Sequence, residues 1–323
     1  MTTARTVPVT TEMDGDELDA LDAWHLARHH GLRAILVESF VRFRYGDGFT
    51  SSRALALQAC LAVVPFLLAL TGLAADLDEE RPAAVVAHVV DSLSPGAGDS
   101  DALTSAVEKS DESELAGEVA LALGLGFALL SMTTAMAQVE RGANRIYGIR
   151  RDRRAVAKYG RAAVLTAVLA LPVGIGFVMI VGGAALGEAM ADSYGWSDTT
   201  EDWWNVLRWP VGLALLVVTI AVLLDHAPRR RQPALSWLAL GAAVAVALSA
   251  VATVGLAAYV SLSGSFGSVY GPLAGIFALL LWALLSSIAF FYGTAVCAQL
   301  EALRAHVPES AYDDPGRPDE QVA

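Results

Sequence analysis

Metal-dependent hydrolysis needs imidazoles and carboxylates grouped closely enough to hold an ion and activate water, so the histidines are the first residues to test. His25, His29, His30, His88, His226 and His306 form no His-x-His-x-Asp-His cluster. His25 and His29 stand at i and i+4, which permits a shared metal, but beside Trp24 and Arg28 an interfacial helix face is the favoured reading. There is no Walker-type phosphate loop and no Gly-x-Ser-x-Gly nucleophile elbow. Cys60 and Cys297 lack the spacing of a metal site and read as small apolar core residues. The expectation is a protein that is not an enzyme, with no catalytic residue, metal or cofactor.

A second set is basic. Arg141, Arg145, Arg150, Arg151, Arg153, Arg154, Lys158 and Arg161 crowd the segment 140–161, a density that suits the phosphates of lipid headgroups or of RNA. A cytoplasmic loop of a membrane protein carries such charge for orientation alone, and that is the leading reading, with lipid contact second. No aromatic stacking platform accompanies the loop, so RNA is the least supported.

A third set is polar and lies within apolar stretches, where burial in lipid costs several kcal/mol unless the group faces protein or water. Gln58, Gln138, Asn144, Tyr270 and Trp282 are the candidates for an interior polar path, with Thr133, Thr134 and Tyr292 beside them. Uncharged amides and hydroxyls also serve as interhelical glue, and that reading is preferred. Glu118, Glu140, Asp225 and Glu301 fall at the ends of the apolar stretches, where water is expected. With no ionisable residue clearly mid-membrane, ion-coupled transport loses support.

The elements that must position these residues are membrane helices. The chain is 55% hydrophobic and 17% charged, where soluble domains carry about 25% charged residues. Six stretches are candidate spans, at 54–75, 119–139, 162–186, 209–224, 234–260 and 272–297. The third contains Pro172, expected to kink it, and Gly183 and Gly187 form a Gly-xxx-Gly pair that lets another helix approach. Of the 22 Lys and Arg, 19 lie in the N-terminal segment, 140–161, 225–232 and the C-terminal tail, leaving Arg81, Lys109 and Arg208. The segment 76–118 carries twelve acidic residues against two basic ones. That partition predicts cytoplasmic termini, with Trp203, Trp204 and Trp209 as an anchor at the outer interface.

The expected fold is therefore all-α and polytopic, with six transmembrane helices preceded by an amphipathic interfacial helix. Residues 1–52 form a cytoplasmic N-terminal segment, 53–303 the transmembrane domain and 304–323 a disordered cytoplasmic tail. Residues 1–13 also read as disordered, and 14–43 as one helix with Leu18, Leu21, Leu32, Ile35, Leu36 and Phe40 near one face. That helix could lie at the interface or pack on the bundle. The stretch 261–271 could be a turn, a hinge or a re-entrant segment.

Three stretches carry a resemblance. In SRALALQACLAVVPFLLAL, Leu55, Ala56, Ala59, Ala62 and Pro65 match an Ala/Leu-rich opening span with its proline. In GANRIYGIRRDRR, Asn144, Arg145, Tyr147 and Gly148 match an asparagine and aromatic-glycine pattern before a basic loop. From Trp237 and Gly241 through Tyr270, Gly271, Leu281, Trp282 and Gly293 to Leu300 and Glu301, the chain is similar to a final pair of spans. Together they resemble the YihY/BrkB family of bacterial inner-membrane proteins, long labelled ribonuclease BN. Leu57 and Gln58 replace two tyrosines common in that family, and Ala298 and Gln299 depart from it near the last span's end.

The resemblance implies a six-span protein of the bacterial inner membrane, with Pro65, Arg145, Gly148, Gly271, Gly293 and Glu301 as structural motif positions. It also implies a part in envelope integrity or in transport of an amphipathic, lipid-like component. A non-transporting membrane scaffold is the alternative, and a ribonuclease is disfavoured for want of a ligand cluster. Membrane lipids are the expected partners, a homo-oligomer is compatible, and no nucleic acid is expected. Cysteines placed at Ser100 and Ser197 should react with an impermeant thiol reagent in intact cells, while one at Arg153 should not; labelling at 153 before lysis would overturn the topology.

Overall fold

The computed structural model describes residues 5–12, 18–75, 114–177, 179–180, 183–262 and 274–313. Among these, nine helices follow one another: α1 (Ala20–His30), α2 (Leu32–Tyr45), α3 (Gly48–Ala75), α4 (Glu114–Ile146), α5 (Ala155–Phe177), α6 (Gly183–Tyr194), α7 (Asp198–His226), α8 (Leu235–Leu262) and α9 (Ala274–Arg304). Two short strands, β1 (Arg5–Thr6) and β2 (Tyr312–Asp313), pair antiparallel and join the described parts of the two terminal segments.

Five segments are long and apolar enough to cross a bilayer: Ala122–Ile146, Ala155–Gly176, Thr199–His226, Leu235–Leu262 and Gly275–Arg304. At most 28% of the most apolar stretch of any of them is buried within the protein. The remaining apolar side chains point outward, which in water would be a severe liability and in lipid is the favourable arrangement. The expected first crossing falls on α3, whose side chains at 67–75 lie outside the described residues.

Helix α3 packs along α4, α8 along α9, and α9 returns against α3, while α7 leans on α5 and α8. Two glycines set the closest approach. A Cβ on Gly241 would strike the Cys297 thiol and the Gly293 carbonyl, and one on Gly293 would strike the Gly241 carbonyl in return. Cys297 is fully buried in this seam, in keeping with an apolar core role. On the other flank, the Trp204 indole N–H donates to the Gly183 carbonyl at 2.6 Å, and a Cβ on Gly187 would come within 2.9 Å of its ring. The Gly-xxx-Gly pair thus receives a tryptophan of α7; Trp203 stays exposed, and Trp204 is half-buried between helices.

Three expectations need correction. The N-terminal helix is two helices, since Asp19 caps α1 through its carboxylate while Gly31, at φ 85°, ends it and starts α2. Its apolar residues do not share one face: Leu18 and Ile35 are buried against the bundle, whereas Leu21, Leu32, Leu36 and Phe40 are exposed. Helix α2 is held down by Phe43, whose ring meets Phe49 at 4.8 Å and Tyr292 at 6.3 Å, and by the Tyr292 hydroxyl donating to the Leu36 carbonyl. The described parts of both terminal segments are also ordered. Residues 5–12 run across the end of the bundle, and 305–313 fold back beside them, because the carbonyls of Thr11, Pro308 and Glu309 accept hydrogen bonds from buried side chains. Residues 314–323 lie outside the described part.

Candidate functional site: a buried charged cluster where the helices end

The ends of α4, α7 and α9 and the start of α5 converge, and their connecting residues carry the charges. Glu301 is fully buried in the last turns of α9. One carboxylate oxygen accepts from the Tyr147 hydroxyl at 3.2 Å and the other from Arg230 Nη2 at 2.6 Å. The Arg230 guanidinium also lies 4.6 Å from the centre of the Tyr147 ring, a cation–π contact strengthened by the burial of both side chains. Arg230 Nη2 donates in addition to the Thr11 carbonyl and Nε to that of Arg231. Burial and the Glu301 carboxylate both push the Tyr147 hydroxyl well above its usual pKa, so it stays a proton donor.

A second buried arginine stands beside this group. Arg42 of α2 donates through Nε to Gln299, through Nη1 to the Thr10 hydroxyl, and through Nη2 to the Glu309 carbonyl at 3.3 Å. Burial lowers its pKa to about 10, with its neighbours Tyr147 and Glu301 pulling it back up and Arg230 pushing it down. Arg42 therefore remains charged at neutral pH. Gln299 passes the network on, donating to Glu38 at 3.0 Å and to the Pro308 carbonyl at 2.7 Å.

The third part ties the loops. Asn144 is fully buried; its Oδ1 accepts from the Arg229 amide at 2.7 Å and its Nδ2 donates to Asp152 at 3.1 Å. Gly148, at φ 78°, turns the chain out of α4 at a point where a Cβ would collide with the Pro8 carbonyl. Arg153 pairs with Glu140 at 3.0 Å and donates to the carbonyls of Ala227 and Pro228, while Arg161 donates to that of His226. These are carbonyls at the C-terminus of α7, which has no further helical turn to satisfy them and attracts cations. Burial pushes the Asp152 carboxyl upward, but hydrogen bonds from Asn144 and Lys158 and the charges of Lys158 and Arg141 outweigh it, and its pKa is lowered. An open cleft of about 610 Å³ lies here, lined by Arg151, Asp152, Arg153, Arg154, Ala157 and Arg229.

Among the polar-path candidates, Gln58 is half-buried and accepts from the Thr134 hydroxyl at 2.8 Å, joining α3 to α4. Trp282 donates to Thr253 at 2.9 Å, and Ser249 donates to Ser286 at 3.0 Å, both joining α8 to α9. Gln138 is half-buried on α4, and Asn144 belongs to the loop cluster. The described candidates do not bond to one another; Tyr270 and Gly271 lie outside the described residues. Of the motif positions, Pro65 and Arg145 are half-buried, Gly293 forms the α8–α9 seam, and Gly148 and Glu301 enter the cluster.

Glu140 and Glu301 do not face water as their positions at helix ends suggest, because Arg153 and Arg230 reach over them. Arg42 reads in the sequence only as one of the basic residues of an interfacial helix and Arg230 only as one of the charges that set orientation, and both are instead buried, while Thr10 had no sequence signal. Their partners are distant in the chain, Gln299 being 257 residues from Arg42.

Apolar helices exposed along their length, ending in an ordered charged layer, define a multi-pass helical membrane protein. The chain belongs to the family described as Virulence factor BrkB, whose model matches residues 39–316. It is also similar to the ribonuclease-like protein YfkH of Bacillus subtilis (strain 168), at 25% identity over 279 residues covering 86% of this chain and 99% of that protein. No solved structure matches it.

Asn144→Leu should cost about 2 kcal/mol by leaving the Arg229 amide and Asp152 without their partner. The expected readouts are a lower melting temperature in detergent and faster tryptic cleavage within 150–154; unchanged cleavage would show that Asn144 does not hold the loop.

Proposed function

We propose that this protein spans the inner membrane six times, with both termini in the cytoplasm, and serves envelope integrity by moving an amphipathic, lipid-like component. The observation that carries the reading is the division of its surface. Long apolar helices with outward-facing side chains meet a compact layer rich in arginine, so the protein is itself amphipathic along the direction a lipid would lie. The sixth crossing is assigned to α3, whose 28 residues would extend about 42 Å at 1.5 Å per residue. The 19-to-3 partition of basic residues supports the orientation, in which the charged cluster would lie on the cytoplasmic side. The exposed apolar residues Leu32, Leu36 and Phe40 of α2 would then sit at that interface.

One observation favours a second reading, a scaffold that transports nothing. The pairs Gln58–Thr134, Ser249–Ser286 and Thr253–Trp282 satisfy polar groups between helices and leave them less free to line a path. RNA cleavage is suggested by the name of the Bacillus protein; among the described residues no three His, Cys, Asp or Glu lie together as a metal site.

Proteoliposomes containing the full chain and a phospholipid with a fluorescent headgroup separate the two membrane readings. Transport predicts that the probe in the inner leaflet becomes accessible to an impermeant quencher faster than in protein-free vesicles. Equal rates would rule out lipid movement and leave the scaffold.

A further inference from the structure

The basic cleft has more charge than its own structure uses. Asp152 is its sole acidic lining residue, and Lys158 at 3.2 Å and Arg141 at 3.4 Å already hold it. Arg153 is paired with Glu140 and committed to the end of α7. The Arg229 side chain donates to carbonyls, those of Arg151 and Asp152, and pairs with no carboxylate among the described residues. The side chains of Arg151 and Arg154 are exposed, and no carboxylate pairs with either among the described residues. Three guanidiniums therefore line a space of about 610 Å³ without an anion of their own. Guanidinium groups gathered without a counter-charge repel one another, and a phosphate relieves that repulsion while accepting their forked hydrogen bonds.

The cleft also has an apolar continuation. Ala157 lines it from the first turn of α5, and Val164, Val168 and Leu171 lie seven, eleven and fourteen residues further on, which at 3.6 residues per turn is the same face. They are 62%, 62% and 70% exposed. From Ala157 to Leu171 the stripe runs about 21 Å, enough to follow an acyl chain through one leaflet of a core about 30 Å thick. Arg161 sits between cleft and stripe, on the same face, at the level expected for a headgroup.

We infer that Arg151, Arg154 and Arg229 form a binding site for the phosphate of an anionic phospholipid, whose acyl chain lies along Val164, Val168 and Leu171 of α5. A free phosphate would use the cleft but not the stripe. RNA would find no aromatic side chain among the cleft's lining residues on which to stack a base. The inference rests on the reading that the protein works on a lipid-like component, but needs only that the lipid binds there.

The purified full chain in a nonionic detergent, mixed with equal amounts of phosphatidylglycerol and phosphatidylcholine, provides the test, with retained lipid measured by mass spectrometry. The wild type and Arg150→Ala, an exposed arginine of the same loop outside the cleft, should retain phosphatidylglycerol preferentially. The double variant Arg151→Ala/Arg154→Ala should bind it roughly tenfold or more weakly, with phosphatidylcholine unchanged. Arg151→Lys/Arg154→Lys should recover most of the preference, and all variants should melt alike because neither side chain holds the fold. Undiminished retention by the double alanine variant would overturn the site, as would an equal loss in Arg150→Ala. Tighter binding of inorganic phosphate or a short RNA through the same two arginines would overturn the assignment to lipid. Arginine-dependent retention without lipid movement in proteoliposomes would refute the transport reading and keep the site; movement without such retention would do the reverse.

Discussion

A carboxylate and a guanidinium taken out of water together form the point on which the charged end of this protein depends. Placing Glu301 and Arg230 in the interior costs several kcal/mol per ion, and the attraction between them offsets it only if the remaining donors and acceptors are also met. The structure meets most of them: Tyr147 serves the second carboxylate oxygen, and the Thr11 and Arg231 carbonyls take Arg230 donors. Arg230 Nη1 is the atom left buried without a partner among the described residues. Because the groups that satisfy the pair come from α9, the end of α4, the α7–α8 loop and the N-terminal segment, forming it fixes all four relative to one another.

Arginine recurs in this layer for a geometric reason. Helices that end together leave carbonyls without intrahelical donors, and a planar group with five N–H donors can serve several at once. Arg153 spans two carbonyls and a carboxylate, Arg42 links Gln299, Thr10 and Glu309, and Arg229 bridges to the 151–152 backbone. The basic loop, whose charge density alone would suit an orientation signal, is thereby also an internal fastening. Arg151 and Arg154 are members left over that line the cleft, which is what makes it available for a ligand.

The apolar spans were legible because a stretch long enough to cross a bilayer needs no tertiary information to be seen. The break at Gly31 was a matter of local chemistry, yet the continuous run of apolar and basic residues around it masked the turn. Gly183 and Gly187 announced a close approach, but not that a tryptophan ring would fill it. Burial of Glu301 was illegible in principle, since Arg230 and Tyr147 lie 71 and 154 residues away, and position at a helix end predicts exposure unless the covering chain is known. The polar residues within the spans could be picked out from the sequence, but only the fold says which of them meet across helices.

The central claim is that the Arg230–Glu301 pair is a coupled clamp, and a double-mutant cycle on melting temperature in detergent measures that coupling directly. Arg230→Met and Glu301→Leu should each be strongly destabilising, by about 3–5 kcal/mol, because each strands the other charge. The double variant should fall much less than the sum, since neither member of the pair is then left buried without the other. Losses that simply add would contradict the account, showing that neither residue depends on the other.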